Sequence, residues 1–199
     1  MKPRNIIAWL APLLALVIGT GPALAHITPP VVLISDHDAV LGMTGGAKKF
    51  FVREVKLTPQ ERQTIQQQWG WQAEDEFYRF YLGRNDEGRS VAAVTFLTEF
   101  TIHGPVRVAV GLEPDGKIRD AQVVELTEET YPWLKPLVDQ GLTRDYVGRG
   151  SQSSFGLSPR ILQMAQESMP QFYAQIVASL IQRAAALFNV AVLKRGEKI

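Results

Sequence analysis

Residues 101–131 read TIHGPVRVAVGLEPDGKIRDAQVVELTEETY, and this pattern decides the fold. A Gly104-Pro105 turn opens the stretch. Val106, Val108 and Val110 then alternate with Arg107, Ala109 and Gly111, the period of two expected of a strand with one buried face. The turn sequence Glu113-Pro114-Asp115-Gly116 follows, and a second extended run carries Ile118, Ala121, Val123, Val124 and Leu126. Two β-type runs joined by a short loop containing Asp-Gly predict a hairpin. The second run empties into Glu128-Glu129-Thr130 and then Tyr131-Pro132-Trp133. Loops after strands are where binding groups concentrate.

On the N-terminal side, residues 49–56, 75–83 and 90–100 also read as strands, and strands in series joined by turns suggest an antiparallel sheet. Thr58-Pro59-Gln60-Glu61 supplies an N-cap, a proline at the first helical position and a glutamate after it, which predicts a polar surface helix over 59–69 that Gly70 stops. Residues 26–48 read as an extended arm or linker. Its first part, 26–35, suits an edge strand. Asp36-His37-Asp38 reads as an exposed turn rather than a metal site, because three adjacent side chains cannot converge from one face. GMTGGA at 42–47 reads as a flexible turn, without the lysine spacing of a phosphate loop.

On the C-terminal side, 134–142 suits a short amphipathic helix and 143–154 a polar Gly/Ser-rich loop. Ser158-Pro159 starts a helix over 160–167. The last helix, 170–193, carries Gln171, Gln175, Ser179 and Gln182 in one stripe and is otherwise almost wholly apolar. Such a helix is either buried or in a membrane. Arg183 and the glutamine stripe in mid-segment favour packing against the sheet. The fold class is therefore α+β, a twisted antiparallel sheet packed against a long C-terminal helix, with the domain over 49–199.

The chain has 199 residues, a formal net charge of +1 and no cysteine. Scattered basic residues argue against a nucleic-acid partner, which needs a clustered basic face. The absence of cysteine rules out disulfides, thiolate-bound zinc, iron–sulfur ligation and covalent c-type haem. Lys2 and Arg4 precede an almost entirely apolar run at 6–18, and Ala23-Leu24-Ala25 ends the segment. This is the layout of a secretory signal over residues 1–25, with an uncleaved membrane anchor as the alternative. Export to a periplasm or cell surface follows.

No catalytic constellation stands out. The histidines His26, His37 and His103 show no metal-ligand spacing, and no nucleophile-elbow pattern is present. Glu128 and Glu129 suit acid–base work or, more simply, a solvated strand end.

The run GPVRVAVGLEPDGKIRDAQVVELTEET resembles the core of the FMN-binding domain family, which includes flavin domains of the sodium-translocating NADH:quinone reductase and of the Rnf electron-transport complex. The matching residues are Gly104, Val106, Val108, Val110, Gly111, Asp115, Gly116, Ile118, Val123, Glu129 and Thr130. The likeness extends over about residues 76–193 and is specific in the hairpin. It implies an exported flavin domain working beside a membrane redox complex. The family carries Ser/Thr-Gly-Ala-Ser/Thr before its last helix, where a hydroxyl takes FMN as a phosphoester. Here the corresponding place reads Ser168-Met169-Pro170-Gln171, and the amide of Gln171 cannot form that ester.

The resemblance therefore implies non-covalent FMN, attachment at Ser168 in a shifted register, or a flavin-free module for assembly or partner binding. It assigns Glu129 and Thr130 to the ring or ribityl chain. Tyr131 or Trp133 would stack on the flavin, or serve as core aromatics. The expected role is that of an electron carrier or accessory protein rather than a stand-alone enzyme, with a redox protein or membrane redox complex as partner. A periplasmic small-ligand binder using the same pocket is a third reading.

Overall fold

The structure is a computed structural model and describes residues 28–196. The signal-type segment at 1–25 lies outside the described residues.

The expected hairpin is present as β5 (Gly104–Leu112) and β6 (Ile118–Thr127), joined at Gly116. It belongs to a six-stranded sheet in which every neighbouring pair is antiparallel. Strands β2 (Lys49–Val55), β3 (Tyr78–Arg84), β4 (Ser90–Thr101), β5 and β6 run as a meander, and β1 (Pro30–Val32) pairs with the free edge of β6. The order β1-β6-β5-β4-β3-β2 leaves β1 and β2 as the edges.

One sheet face carries the main core. Helix α5 (Ser168–Phe188) lies across it, accompanied by α2 (Pro59–Trp69) and α3 (Tyr131–Asp139). The buried residues of α5 include Val177, Leu180, Ile181, Leu187 and Phe188, interspersed with Ala178, Ala184 and Ala185. The alanines let the helix axis approach the sheet. Each large apolar side chain removed from water stabilises the fold by about 1.5–3 kcal/mol. Phe188 meets Phe80 of β3 edge-on at 5.6 Å between ring centroids. The segment Ser168–Leu193 is long and apolar enough to cross a membrane, yet 67% of its most apolar window is buried inside this fold. Arg183 fits that packing because it pairs with Glu99 of β4 and lies 5.7 Å from the Trp71 ring.

Several local expectations are corrected. Residues 26–48 are not simply an extended arm. Ser35 caps helix α1 (Asp36–Met43) by accepting the Asp38 N–H at 3.1 Å. Asp36 and Asp38 occupy its first turn, where the helix dipole favours negative charge. Ala39 and Met43 bury against Val94, Ala109 and Val124 on the sheet face opposite α5. A Cβ on Gly111 would meet the Met43 Cβ at 3.0 Å, and one on Gly83 would meet the Ala47 Cβ at 2.8 Å. These glycines set how closely the α1 segment approaches. Asp36 accepts from both terminal nitrogens of the Arg107 guanidinium, Nη1 and Nη2, at 2.5 and 2.7 Å, and the Asp-His-Asp triplet is a helix start.

The helix expected at 134 begins at Tyr131. The polar loop contains a 3-10 turn, Leu142–Tyr146, whose Tyr146 is fully buried and stacked on Phe155 at 5.7 Å. The short helix α4 (Pro159–Met164) ends earlier than expected, and α5 finishes in one wide turn, Asn189–Leu193.

Helix α2 matches its sequence signature. Thr58 Oγ1 accepts the Glu61 N–H at 3.2 Å, Glu61 accepts the Thr58 N–H at 2.8 Å, and Gly70 ends the helix at φ 67. Arg195 donates to both oxygens of Glu61, at 2.7 and 2.6 Å, tying the end of the described chain to α2.

Truncating Phe188→Ala should cost about 3–5 kcal/mol of stability, measured by urea denaturation. A loss under about 1 kcal/mol would show that α5 is not held by this contact. The Arg195 guanidinium holds the Glu61 carboxyl below its ordinary value of 4.5. A depressed folded-state value stabilises the fold above the unfolded value, and the contribution fades as pH falls below it. Wild-type stability should therefore drop on acidification below 4.5, and Glu61→Gln should flatten that limb of the profile.

Candidate functional site

The chain reverses between β4 and β5 through Ile102-His103, and Gly104 closes the turn at φ 96. That left-handed backbone suits glycine, and a Cβ there would meet Thr127 Cγ2 at 2.5 Å. Thr101 Oγ1 donates to the Gly104 carbonyl at 2.8 Å and accepts the His103 N–H at 3.1 Å. The Tyr173 hydroxyl, 3.2 Å from Thr101 Oγ1, is then the donor of that pair. Burial pushes the Tyr173 phenol up, which keeps it neutral.

A second strap ties β6 to this turn. Thr127 Oγ1 donates to the His103 carbonyl at 2.7 Å. The Thr127 N–H donates to Thr130 Oγ1 at 3.0 Å, and the Thr130 N–H returns to Thr127 Oγ1 at 3.3 Å. Both threonines are fully buried. The strap presents Glu129 to His103, with Oε1 2.6 Å from Nδ1, while Oε2 accepts from Thr28 at 3.4 Å. The His103 ring stands edge-on to Trp133 at 5.1 Å, and Trp133 stacks on Tyr173 at 5.7 Å and 15°. One end of the sheet thus gathers an imidazole, a carboxylate and two aromatic rings from the β4–β5 turn, the end of β6, α3 and α5.

Of the residues expected to bind a cofactor, Glu129 and Trp133 meet in this cluster. Thr130 is adjacent, but its hydroxyl is buried in the strap. Tyr131 opens α3 with its ring partly exposed and the Lys135 ammonium 6.0 Å away. Ser168 is exposed at the start of α5. Gln171 donates through Nε2 to the Ala165 carbonyl at 2.8 Å, closing the joint between α4 and α5. His103, Tyr173, Thr101 and Thr127 were not among the expected site residues. For His103, the signal was its place in a two-residue turn facing an acidic strand end. Tyr173 offered only one more hydroxyl in a mostly apolar helix that already carries a polar stripe.

Beside the cluster runs an open groove of about 600 Å³ between the β4–β5 turn and α5, lined by Phe100, Ile102, His103, Met169, Phe172 and Ile176. A second recess of about 710 Å³, lined by residues including Trp71 and Tyr78, shares Glu99, Phe100 and Arg183 with it. Among the described residues no group of three or more His, Asp or Glu could hold a metal ion. Comparison with family models, curated proteins and solved structures returns no match for this chain.

The strap and the exposed carboxylate should separate in their effects on stability. Thr130→Val leaves buried partners of its hydroxyl unpaired and should cost about 1–3 kcal/mol in urea denaturation. Glu129→Gln, on a part-exposed pair, should cost less than about 1 kcal/mol. Equal losses would contradict this division.

Proposed function

We propose that the protein is an exported FMN-binding-type electron-transfer protein of a membrane redox complex, with FMN held non-covalently. The reading rests on the β5–β6 hairpin resemblance together with one observation: the end of β6 delivers Glu129 beside the His103, Trp133 and Tyr173 rings. Trp133 and His103 offer ring faces and edges for an isoalloxazine, and Glu129 offers an acceptor for a ring or ribityl donor. The first turn of α5 has no side-chain cap, and free backbone N–H groups at a helix start suit a phosphate. Pro170 removes one of those donors. When bound, FMN would supply the one- or two-electron chemistry, and the protein would position it and tune its potential.

A second reading, a flavin-free assembly or structural component of such a complex, is favoured by a separate observation. The Thr130 hydroxyl and the Gln171 amide, both expected at a flavin, are bonded to the protein itself.

Titrating the full chain with FMN and following flavin fluorescence separates the two. The expected result is saturable quenching, release of all flavin to the supernatant on acid precipitation, and binding weakened about two- to tenfold by Trp133→Leu, the loss of one stacking contact. A colourless chain that takes up no FMN would leave the flavin-free reading.

A further inference from the structure

We infer that the end of β4 is a strand-addition site, which takes one extended segment of a partner protein carrying basic side chains. Strands β3 and β4 separate before β4 is finished. Their register ends at the pair Phe80 and Thr95, so Leu97–Thr101 is paired through β5 alone. Strand β3 itself continues to Tyr78 against β2. The chain ahead of it, residues 70–77, forms no strand.

The overhang has backbone groups to offer. Phe100 stands opposite Pro105. Proline has no N–H to give to a ladder, and it fits where the paired residues do not bond each other. The N–H and C=O of Phe100 then point away from β5, and the alternation of an antiparallel ladder turns those of Thr98 the same way. Neither residue makes a backbone hydrogen bond to the 70–77 segment. An unpaired strand edge of this kind is a template for another extended chain.

Space for that chain lies where β3 would have continued. A recess of about 710 Å³ on the α5 side and one of about 210 Å³ on the α1 side both border Asp75, Tyr78 and Phe96, so the gap opens on both faces of the sheet. Its far wall is formed by Trp71, Gln72, Glu74 and Asp75. A single strand fits between two such walls, and the edge of a second folded sheet does not. The occupant is therefore a flexible segment and not a folded copy of this chain.

Charge selects what the segment carries. The larger recess is lined by Glu74, Asp75 and Glu99 and by one cation, Arg183, which is already bonded to Glu99. Arg62 stands close but donates to the Asp75 carbonyl. Glu74 and Asp75 are exposed and have no ion-pair partner among the described residues. A lysine or arginine on the incoming strand complements them. FMN uptake neither requires nor excludes this site.

A short capped peptide of alternating lysine and valine, added to the full chain, tests the proposal. Binding should be saturable below about 1 mM, and the Thr98 and Phe100 amides should become protected from hydrogen exchange. A glutamate–valine peptide should bind at least about tenfold more weakly. Methylating every backbone nitrogen of the lysine peptide should abolish binding while leaving its charge. In the chain, Glu74→Gln with Asp75→Asn should weaken the lysine peptide about two- to tenfold without moving the urea midpoint. The proposal is overturned if the lysine peptide does not bind, or if the methylated peptide binds equally well, since charge alone would then make the contact. It is equally overturned if both amides are protected in the free chain, because residues 1–27 or a second copy would then already fill the gap.

Discussion

Everything else in this structure depends on the burial of one helix. Helix α5 puts Val177, Leu180, Ile181, Leu187 and Phe188 against one face of the meander. Without it, the sheet would expose the alternating valines of β5 and β6. The alanines at 178, 184 and 185 matter as much as the large side chains. They let the helix lie close enough for dispersion contacts to act, and they leave Arg183 as the charged exception, bonded to Glu99 at the rim. A helix this apolar would be at home in a bilayer by composition alone. The sheet supplies the apolar surface instead.

The same helix builds the candidate site. Tyr173 reaches from its first turns to Thr101 and stacks on Trp133, while the Thr127–Thr130 strap holds the end of β6 against the His103 carbonyl. The polar groups of this region divide by burial. Thr127 and Thr130, fully buried, bond each other and the His103 carbonyl, and Thr101 bonds the Gly104 carbonyl and Tyr173. Glu129 and His103, nearer solvent, keep side-chain edges that another molecule can meet. The division leaves part of this strand end as internal bracing and part within reach of another molecule.

The hairpin, the α2 capping box with its glycine stop, and the long terminal helix were all legible in the chain. Their signals are local: a period of two, a Thr-Pro-x-Glu cap and an apolar run of helical length. Helix α1 was not legible. Its buried stripe is only Ala39 and Met43, too short for a period to show, and the Gly111 gap that Met43 faces and the Arg107 that holds Asp36 lie on a strand far away in sequence. Tyr146 was hidden in a polar loop for a similar reason, since its partner Phe155 lies across a glycine- and serine-rich turn.

The stretch 101–131 by itself determined that two strands pair through an Asp-Gly turn and that an acidic end follows them. Turn chemistry and side-chain alternation are properties of neighbouring residues. Only the tertiary structure decided what that acidic end faces. His103, Glu129, Trp133 and Tyr173 come from four separate elements: the strap at the end of β6 brings Glu129 to His103, and the packing of α5 on the sheet adds Tyr173. Whether a polar side chain at such a place is a brace or a contact depends on which backbone groups lie within hydrogen-bond reach. That is fixed by the fold and not by the order of residues along the chain.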